Sequence, residues 1–460
     1  MAGGVMKWVF VAGLACWGAT GAAADQPSPL SAYMVMTGDG PVARTVMAGT
    51  DACPLLSIDG RREAMSVRAE PADLPQRPTR SSVENSKASR FPVRICEARI
   101  PANARTVHVA DRLLPAPHAS ARRIVVIGDT GCRIKASDNA YQACDDPEAW
   151  PFARIARQAA AWKPDLVLHV GDYLYRENPC ADHSGCVGSP WGYGWDAWDA
   201  DFFTPAAPLL AAAPWVMVRG NHESCLRAGQ GWWRLLAAQP FVAGQDCNDG
   251  ENDARGDESA PFAVPLGGGA QVIAIDLAIM GEDAIPPGDP RYGQIRAIQQ
   301  AIADMAKGHR FTLATDHYPL LGLAASNKRG LLRIQAGYAS VRFTFGAADP
   351  SLTLAGIDML VAGHVHEWQQ ADLGPRHPSQ FISGMAGTQE DVTQVPADRA
   401  LGQEPVPGAK VFRFDSWTDH FGFMTLERTG RRRWRVEVHD LTGQIIRRCV
   451  VKGRRSACGA

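Results

Sequence analysis

The sequence predicts an α/β fold with a small β-rich domain ahead of it, and three observations carry that prediction. From "RRIVVIGD" onward, fully apolar strand-like runs alternate with helical stretches, the pattern of an α/β domain. Between residues 25 and 118 there are short alternating stretches, such as "FPVRICEARI" and "ARTVHVA", separated by the polar, proline-bearing "PADLPQRPTRSSVENSKASR". The tail, "FGFMTLERTGRRRWRVEVHDLTGQIIRRCVV", reads as two or three antiparallel strands.

In chain order, residues 1–24 read as a secretory signal peptide. Lys7 is followed by an apolar run from Trp8 that is too short to span a bilayer, and then by Ala22, Ala23 and Ala24. Cleavage is predicted after Ala24, leaving a secreted or periplasmic protein; a lipoprotein signal on Cys16 is disfavoured, because Gly13 stands where such a signal carries leucine. Residues 25–118 form the predicted β-rich domain, ending in the linker-like "LLPAPHASA", and residues 119–460 the main domain. Within it, "PEAWPFARIARQAAAW" is a predicted helix between the strands "RRIVVIGD" and "DLVLHVGD". The helix "WDAWDADFFTPAAPLLAAA" and the strands "WVMVRG" and "QVIAIDLA" follow, then the helix "RYGQIRAIQQAIADMAKG" and the strands "FTLATDH" and "IDMLVAGHVH".

A 460-residue chain with 46% hydrophobic residues can fill a sizeable core. Its 47 basic and 48 acidic residues cancel, so no global field draws it to nucleic acid or an anionic membrane, and function must be argued from a site. Ten cysteines remain beyond the leader, an even number that in an exported chain suggests five disulfides. Their positions fall into sequential couples, so neighbour pairing is expected, such as Cys180 with Cys186 and Cys449 with Cys458. A thiolate metal site would need close C-x-x-C spacing, which is missing.

Several predicted strands end in a residue able to bind a metal. "IGDTG" supplies Asp129, "VGDYLY" Asp172 and Tyr175, "RGNHES" Asn221 and His222, "TDHYP" His317, and "GHVH" His364 and His366. Ligands in open α/β sheets bind beyond the carboxyl ends of strands, so five such ends can converge on one place. Singly, each motif is as well explained by a helix cap or a turn; together and in this order they point to a metal centre.

These blocks, G-D-x-G, G-D-x-x-Y, G-N-H-E, a histidine closing a strand before an aromatic and proline, and G-H-x-H, resemble those of the calcineurin-like metallophosphoesterases. Within that superfamily the chain is most similar to the purple acid phosphatases, over about residues 122 to 428. Ala314 departs from the usual valine of the fourth block, which touches core packing and no ligand. The resemblance implies a four-layer α/β/β/α sandwich. It also implies a metal pair: iron(III) on Asp129, Tyr175 and His366, a divalent zinc, manganese or iron(II) on Asn221, His317 and His364, and Asp172 bridging. Tyr175 carries the iron expectation, since a phenolate is a hard anionic donor suited to a trivalent ion.

The expected activity is hydrolysis of phosphate monoesters by a metal-bound hydroxide. Asp172, His222 and Glu223 are the candidate catalytic residues. His222 would either give a charged hydrogen bond to the phosphoryl group or protonate the leaving alkoxide, and Glu223 would orient or charge that histidine or be a solvated turn residue. The expected partner is a small phosphate ester, with no nucleic acid and no membrane after signal cleavage. A phosphodiesterase or nucleotide pyrophosphatase on the same fold is the alternative. A secreted binding protein without turnover is a further one, disfavoured by the complete ligand set. "ENDARGDES" is read as a solvated loop, "GRRRWRVEV" as a solvated sheet face, and Trp191, Trp195 and Trp198 mostly as packing under a loop.

Overall fold

A computed structural model describes residues 1–5, 27–181, 185–390 and 392–459. The predicted leader beyond its first five residues, with its cleavage site, lies outside them. Two sheets form the body of the molecule. The first has eleven strands, in the order Arg455–Gly459, Ile445–Lys452, Arg433–Asp440, Gly422–Gly430, Arg123–Ile127, Leu166–His169, Trp215–Met217, Ser31–Thr37, Gly40–Ala48, Val93–Arg99 and Ser66–Ala69. The second has seven: Phe262–Gly267, Ala270–Ala274, Phe311–Thr315, Met359–Ala362, Ser379–Ser383, Trp368–Asp372 and Arg413–Trp417.

The central strands read as unbroken apolar runs because both of their faces are covered. Ile124 and Val126 turn toward the second sheet, meeting Val272, Leu313 and Val361. Their neighbours Val125 and Ile127 face Phe152, Ile155 and Ala159 of the helix Phe152–Ala161. On the far side, Ile273, Ala314 and Leu360 pack against Ile295, Ile298 and Ile302 of the helix Pro290–Met305. That helix starts where the chemistry favours a start: Asp289 accepts from the Arg291 N–H and Pro290 occupies the first turn. Helix, sheet, sheet and helix make the four layers, and each fully buried aliphatic side chain between them contributes about 1.5–3 kcal/mol.

The N-terminal region is β-rich, and its strands continue the first sheet. Ser31–Thr37 runs parallel to Trp215–Met217, with Val35 opposite Trp215. Leu55–Ile58, Arg61–Ala64, Val107–Val109 and Arg112–Leu114 form a separate four-stranded sheet. The stretch expected to hold two or three antiparallel strands holds three, Gly422–Gly430, Arg433–Asp440 and Ile445–Lys452, and a fourth, Arg455–Gly459, follows beyond it. All five disulfides join sequence neighbours: Cys53–Cys96, Cys132–Cys144, Cys180–Cys186, Cys225–Cys247 and Cys449–Cys458. In "GRRRWRVEV", Trp434 is buried against Phe311 while Arg433 and Arg435 are exposed, as a strand with one wet face requires.

Candidate metal centre

Five strand ends meet at one edge of the two sheets. Asp129, Asp172 and His364 each follow a glycine and adopt a left-handed backbone, with φ of 56°, 58° and 71°. A residue other than glycine in that conformation costs of order 1–3 kcal/mol, so surrounding contacts must hold it. They do: the Asp129 N–H donates to the Gly171 carbonyl at 3.0 Å, and the His364 N–H to Asp129 Oδ2 at 3.1 Å. Asn221 and His222 lie in the short turn Asn221–Glu223, where the His222 N–H donates to Asp172 Oδ1 at 2.9 Å.

Two groups of ligating atoms face each other across Asp172. In the first, the Tyr175 phenol oxygen is 2.8 Å from Asp172 Oδ2, 2.9 Å from His366 Nε2 and 3.1 Å from Asp129 Oδ1. In the second, Asn221 Oδ1 is 3.0 Å from His317 Nε2 and 3.1 Å from His364 Nδ1. Asp172 Oδ2 joins them, lying also 3.1 Å from His317 Nε2. Asp172, His317 and His364 can present one ligand atom each within 4.8 Å of one another.

The outer atoms of the histidines fix which nitrogen is free. His317 Nδ1 lies 2.8 Å from the Val170 carbonyl and His366 Nδ1 3.0 Å from the Gln389 carbonyl; a carbonyl only accepts, so both Nδ1 atoms carry the proton. Each Nε2 lone pair is thereby turned to the centre, the arrangement expected of imidazole ligands. His364 is reversed: its Nδ1 faces Asn221 while Nε2 stands 3.5 Å from Glu282 Oε1.

The donor set fits a cation pair. Three oxygens and one nitrogen crowd around a single phenolic proton in the first group, and in the second the imidazoles and the amide oxygen all offer lone pairs. Electrostatics agree. Burial raises the Tyr175 phenol, and Asp172 and Asp129 push it further up, well above its ordinary value. Burial opposes the charged form of His317, yet Asp172 draws its pKa up to about 9. Burial would raise the Asp172 carboxyl, but His317 and His222 hold it well below the usual range. A cluster this rich in acceptors, buried except for the half-buried Asn221 and His364, calls for positive charge.

His222 lies against the ring of Tyr175, with centroids 3.8 Å apart. Its Nδ1 is 3.1 Å from Glu177 Oε1, and its Nε2 accepts from Arg227 at 2.9 Å. Burial and the Arg227 charge push its pKa down to about 4, away from the near-neutral value of a free imidazole. Glu223 stands elsewhere. Its carboxyl accepts from the N–H groups of Asp172, Tyr173, Leu174 and Gly220 at 2.8–3.3 Å, so it braces the loop bearing Asp172. The carboxylate facing His222 is Glu177, which also pairs with Arg227.

All seven predicted ligand residues therefore come together. Sequence reasoning passed over Glu177, Arg227, Glu282 and Asp201. Asp201 fixes the loop after Tyr175, accepting from the Tyr175 N–H at 2.8 Å and the Arg176 side chain at 2.6 Å. Glu177 lies two residues after Tyr175, and Arg227 six after Asn221, spacings that no local rule ties to a site.

Residues 122–368, which contain all seven ligand residues, match the family pattern described as calcineurin-like phosphoesterase. No curated protein matches the chain by sequence. Among solved structures, purple acid phosphatase PPD1 from yellow lupin (Lupinus luteus) seeds superposes with a TM-score of 0.58 at 14% identity, covering 93% of this chain and 74% of that one. PhoD superposes with a TM-score of 0.55 at 12% identity, covering 95% and 93%. Likeness at these identities is one of fold. With more than half of its 460 residues under the family pattern and a ligand cluster at the ends of its strands, the chain belongs to the calcineurin-like phosphoesterase family.

Proposed function

We propose that the protein is an exported phosphatase that hydrolyses phosphate monoesters at a binuclear metal centre. Asp129, Tyr175 and His366 would hold iron(III), Asn221, His317 and His364 a divalent zinc, manganese or iron(II), and Asp172 both. The observation that carries this reading is the Tyr175 oxygen, 2.8–3.1 Å from Asp172, His366 and Asp129. The family makes the substrate a phosphate ester. Export is supported by five disulfides. Among the described residues no helix is long and apolar enough to cross a membrane.

When bound, such a metal pair supplies Lewis acidity to the phosphoryl oxygens and lowers the pKa of a coordinated water. The chain's own residues do the rest. Arg227 keeps its charge despite burial, because Glu177 lies against it, and so brings a fixed cation beside His222 and Asp172. A fixed, buried positive charge favours the charge that develops on a transferring phosphoryl group. His222 Nε2, 3.8 Å from Asp172 Oδ2, accepts from Arg227 at 2.9 Å and so positions that guanidinium, which is the group assigned to give the charged hydrogen bond to the phosphoryl oxygens. Glu223 keeps Asp172 in place through the loop backbone.

The test is a visible spectrum with metal analysis, alongside hydrolysis of a monoester and a diester by the same preparation. A charge-transfer band that is lost in Tyr175→Phe, with the monoester turned over faster, is expected. Two divalent metals without a band would remove iron from the proposal, and faster diester cleavage would replace the monoesterase with a phosphodiesterase.

A further inference from the structure

The strands that carry the metal ligands have a second end. Arg310 directly precedes the strand Phe311–Thr315, whose exit leads to His317, and Asp358 precedes Met359–Ala362, whose exit leads to His364. At this opposite edge, roughly 16 Å away at about 3.3 Å per residue, lies a cleft of about 730 Å³ whose lining includes His309, Arg310, Asp358, Arg431, Arg432 and Arg454. The lining thus holds four guanidiniums and one carboxylate. The chain as a whole carries a formal charge of −1, so the concentration is local.

That carboxylate is already occupied. Asp358 Oδ2 accepts from the Thr312 N–H at 3.1 Å, and Oδ1 pairs with Arg432. Arg454 is held by the carbonyls of Thr353, at 2.7 Å, and Leu354. The side chains of Arg310 and Arg431 are exposed and make no hydrogen bond or ion pair among the described residues. Guanidinium groups match phosphate oxygens in pairs, and a rim of unpaired arginines around anchored ones is a site of that character.

We infer that this cleft is a second, non-catalytic binding site for a multiply charged phosphate anion, in which Arg310 and Arg431 contact the ligand while Arg432, held by Asp358, and Arg454, held by the Thr353 and Leu354 carbonyls, add fixed positive charge to its lining. The phosphate can belong to a soluble oligophosphate or to a lipid headgroup. The site stands apart from the esterase reading, because binding here needs no turnover.

The experiment is calorimetric titration of tripolyphosphate into the metal-loaded full chain, wild type against Arg310→Ser, Arg431→Ser and the double variant, at low and moderate salt. The double variant is expected to lose one binding component by at least about tenfold, with a shallower salt dependence, while wild-type monoester hydrolysis is retained. Both residues are exposed, and matching melting curves will show that the variants fold. Superimposable isotherms for wild type and double variant would overturn the inference. If the esterase reading fails, the arginine-dependent component persists alone. Sedimentation with cardiolipin vesicles, whose headgroup carries two phosphates, that depends on the same arginines would assign the phosphate to a headgroup; tripolyphosphate binding without such sedimentation would assign it to a soluble anion.

Discussion

Gly220 illustrates how little room the ligand residues leave. It precedes Asn221, and a Cβ there would sit 2.0 Å from Asp172 Oδ1 and 2.3 Å from the Asp172 backbone nitrogen. Neither atom can retreat, since Oδ1 accepts from the His222 N–H and the nitrogen donates to Glu223. Gly220→Ala should therefore shift Asp172 and Asn221 together. Displacements of about 1 Å at a reacting centre cost about 100-fold in rate. We expect at least that loss in kcat/KM, accompanied by reduced metal content per chain, and wild-type metal occupancy in the variant would refute the account. The same crowding explains why Glu223 cannot be read from its neighbour His222: its carboxyl is committed to three backbone donors of a facing loop and to the Gly220 N–H of its own turn.

Among elements, the most demanding contact joins the N-terminal strands to the segment Trp232–Leu236. Arg44 donates to the carbonyls of Leu235 at 3.1 Å and Ala237 at 2.7 Å, Arg68 to that of Trp233 at 2.8 Å, and Tyr33 to that of Leu235 at 2.7 Å. Both guanidiniums are buried, and Glu97 balances them at 3.0 Å from each. Burial would raise the Glu97 carboxyl, but Arg44 and Arg68 hold it below its ordinary 4.5. A depressed carboxyl stabilises the fold above its unfolded value, and that contribution fades as pH falls through the folded value. Glu97→Gln should therefore cost about 2 kcal/mol near pH 7, because two buried charges lose their counter-ion. Below about pH 4.5 the difference from wild type should narrow. Melting curves between pH 7 and pH 3 check this, and a gap independent of pH would show that Glu97 acts through packing.

At the scale of the molecule, the first sheet is one structure built from both ends of the chain. Ser31–Thr37 closes the edge that Trp215–Met217 would otherwise expose, and the tail strands extend the opposite side through Gly422–Gly430 against Arg123–Ile127. An apolar strand edge left open invites pairing with other chains. A fragment of residues 119–460 is therefore expected to aggregate even though it contains every proposed ligand. Soluble yield, size-exclusion behaviour and ester hydrolysis of that fragment provide the check, and a monomeric, active product would show that the N-terminal strands are dispensable.

The sequence by itself determined the candidate ligands and the strand–helix alternation, because both are local. A metal-binding residue directly after an apolar run is visible in "VIGD", "HVGD" and "LVAGHVH", and the strand–helix alternation is visible wherever both faces of a strand are apolar. It did not show Trp368–Asp372 as a strand: "WQQAD" is polar, yet fully buried, with the Gln369 amide bonded to both the N–H and the carbonyl of Leu323 at 2.9 Å. Nor did it show that Glu177 faces His222, or that Arg310, Arg431, Arg432 and Arg454 share a cleft. Those facts belong to the tertiary structure for one physical reason. A backbone hydrogen bond or a side-chain charge carries no label of its partner, and only the packing of distant segments decides which donor meets which acceptor.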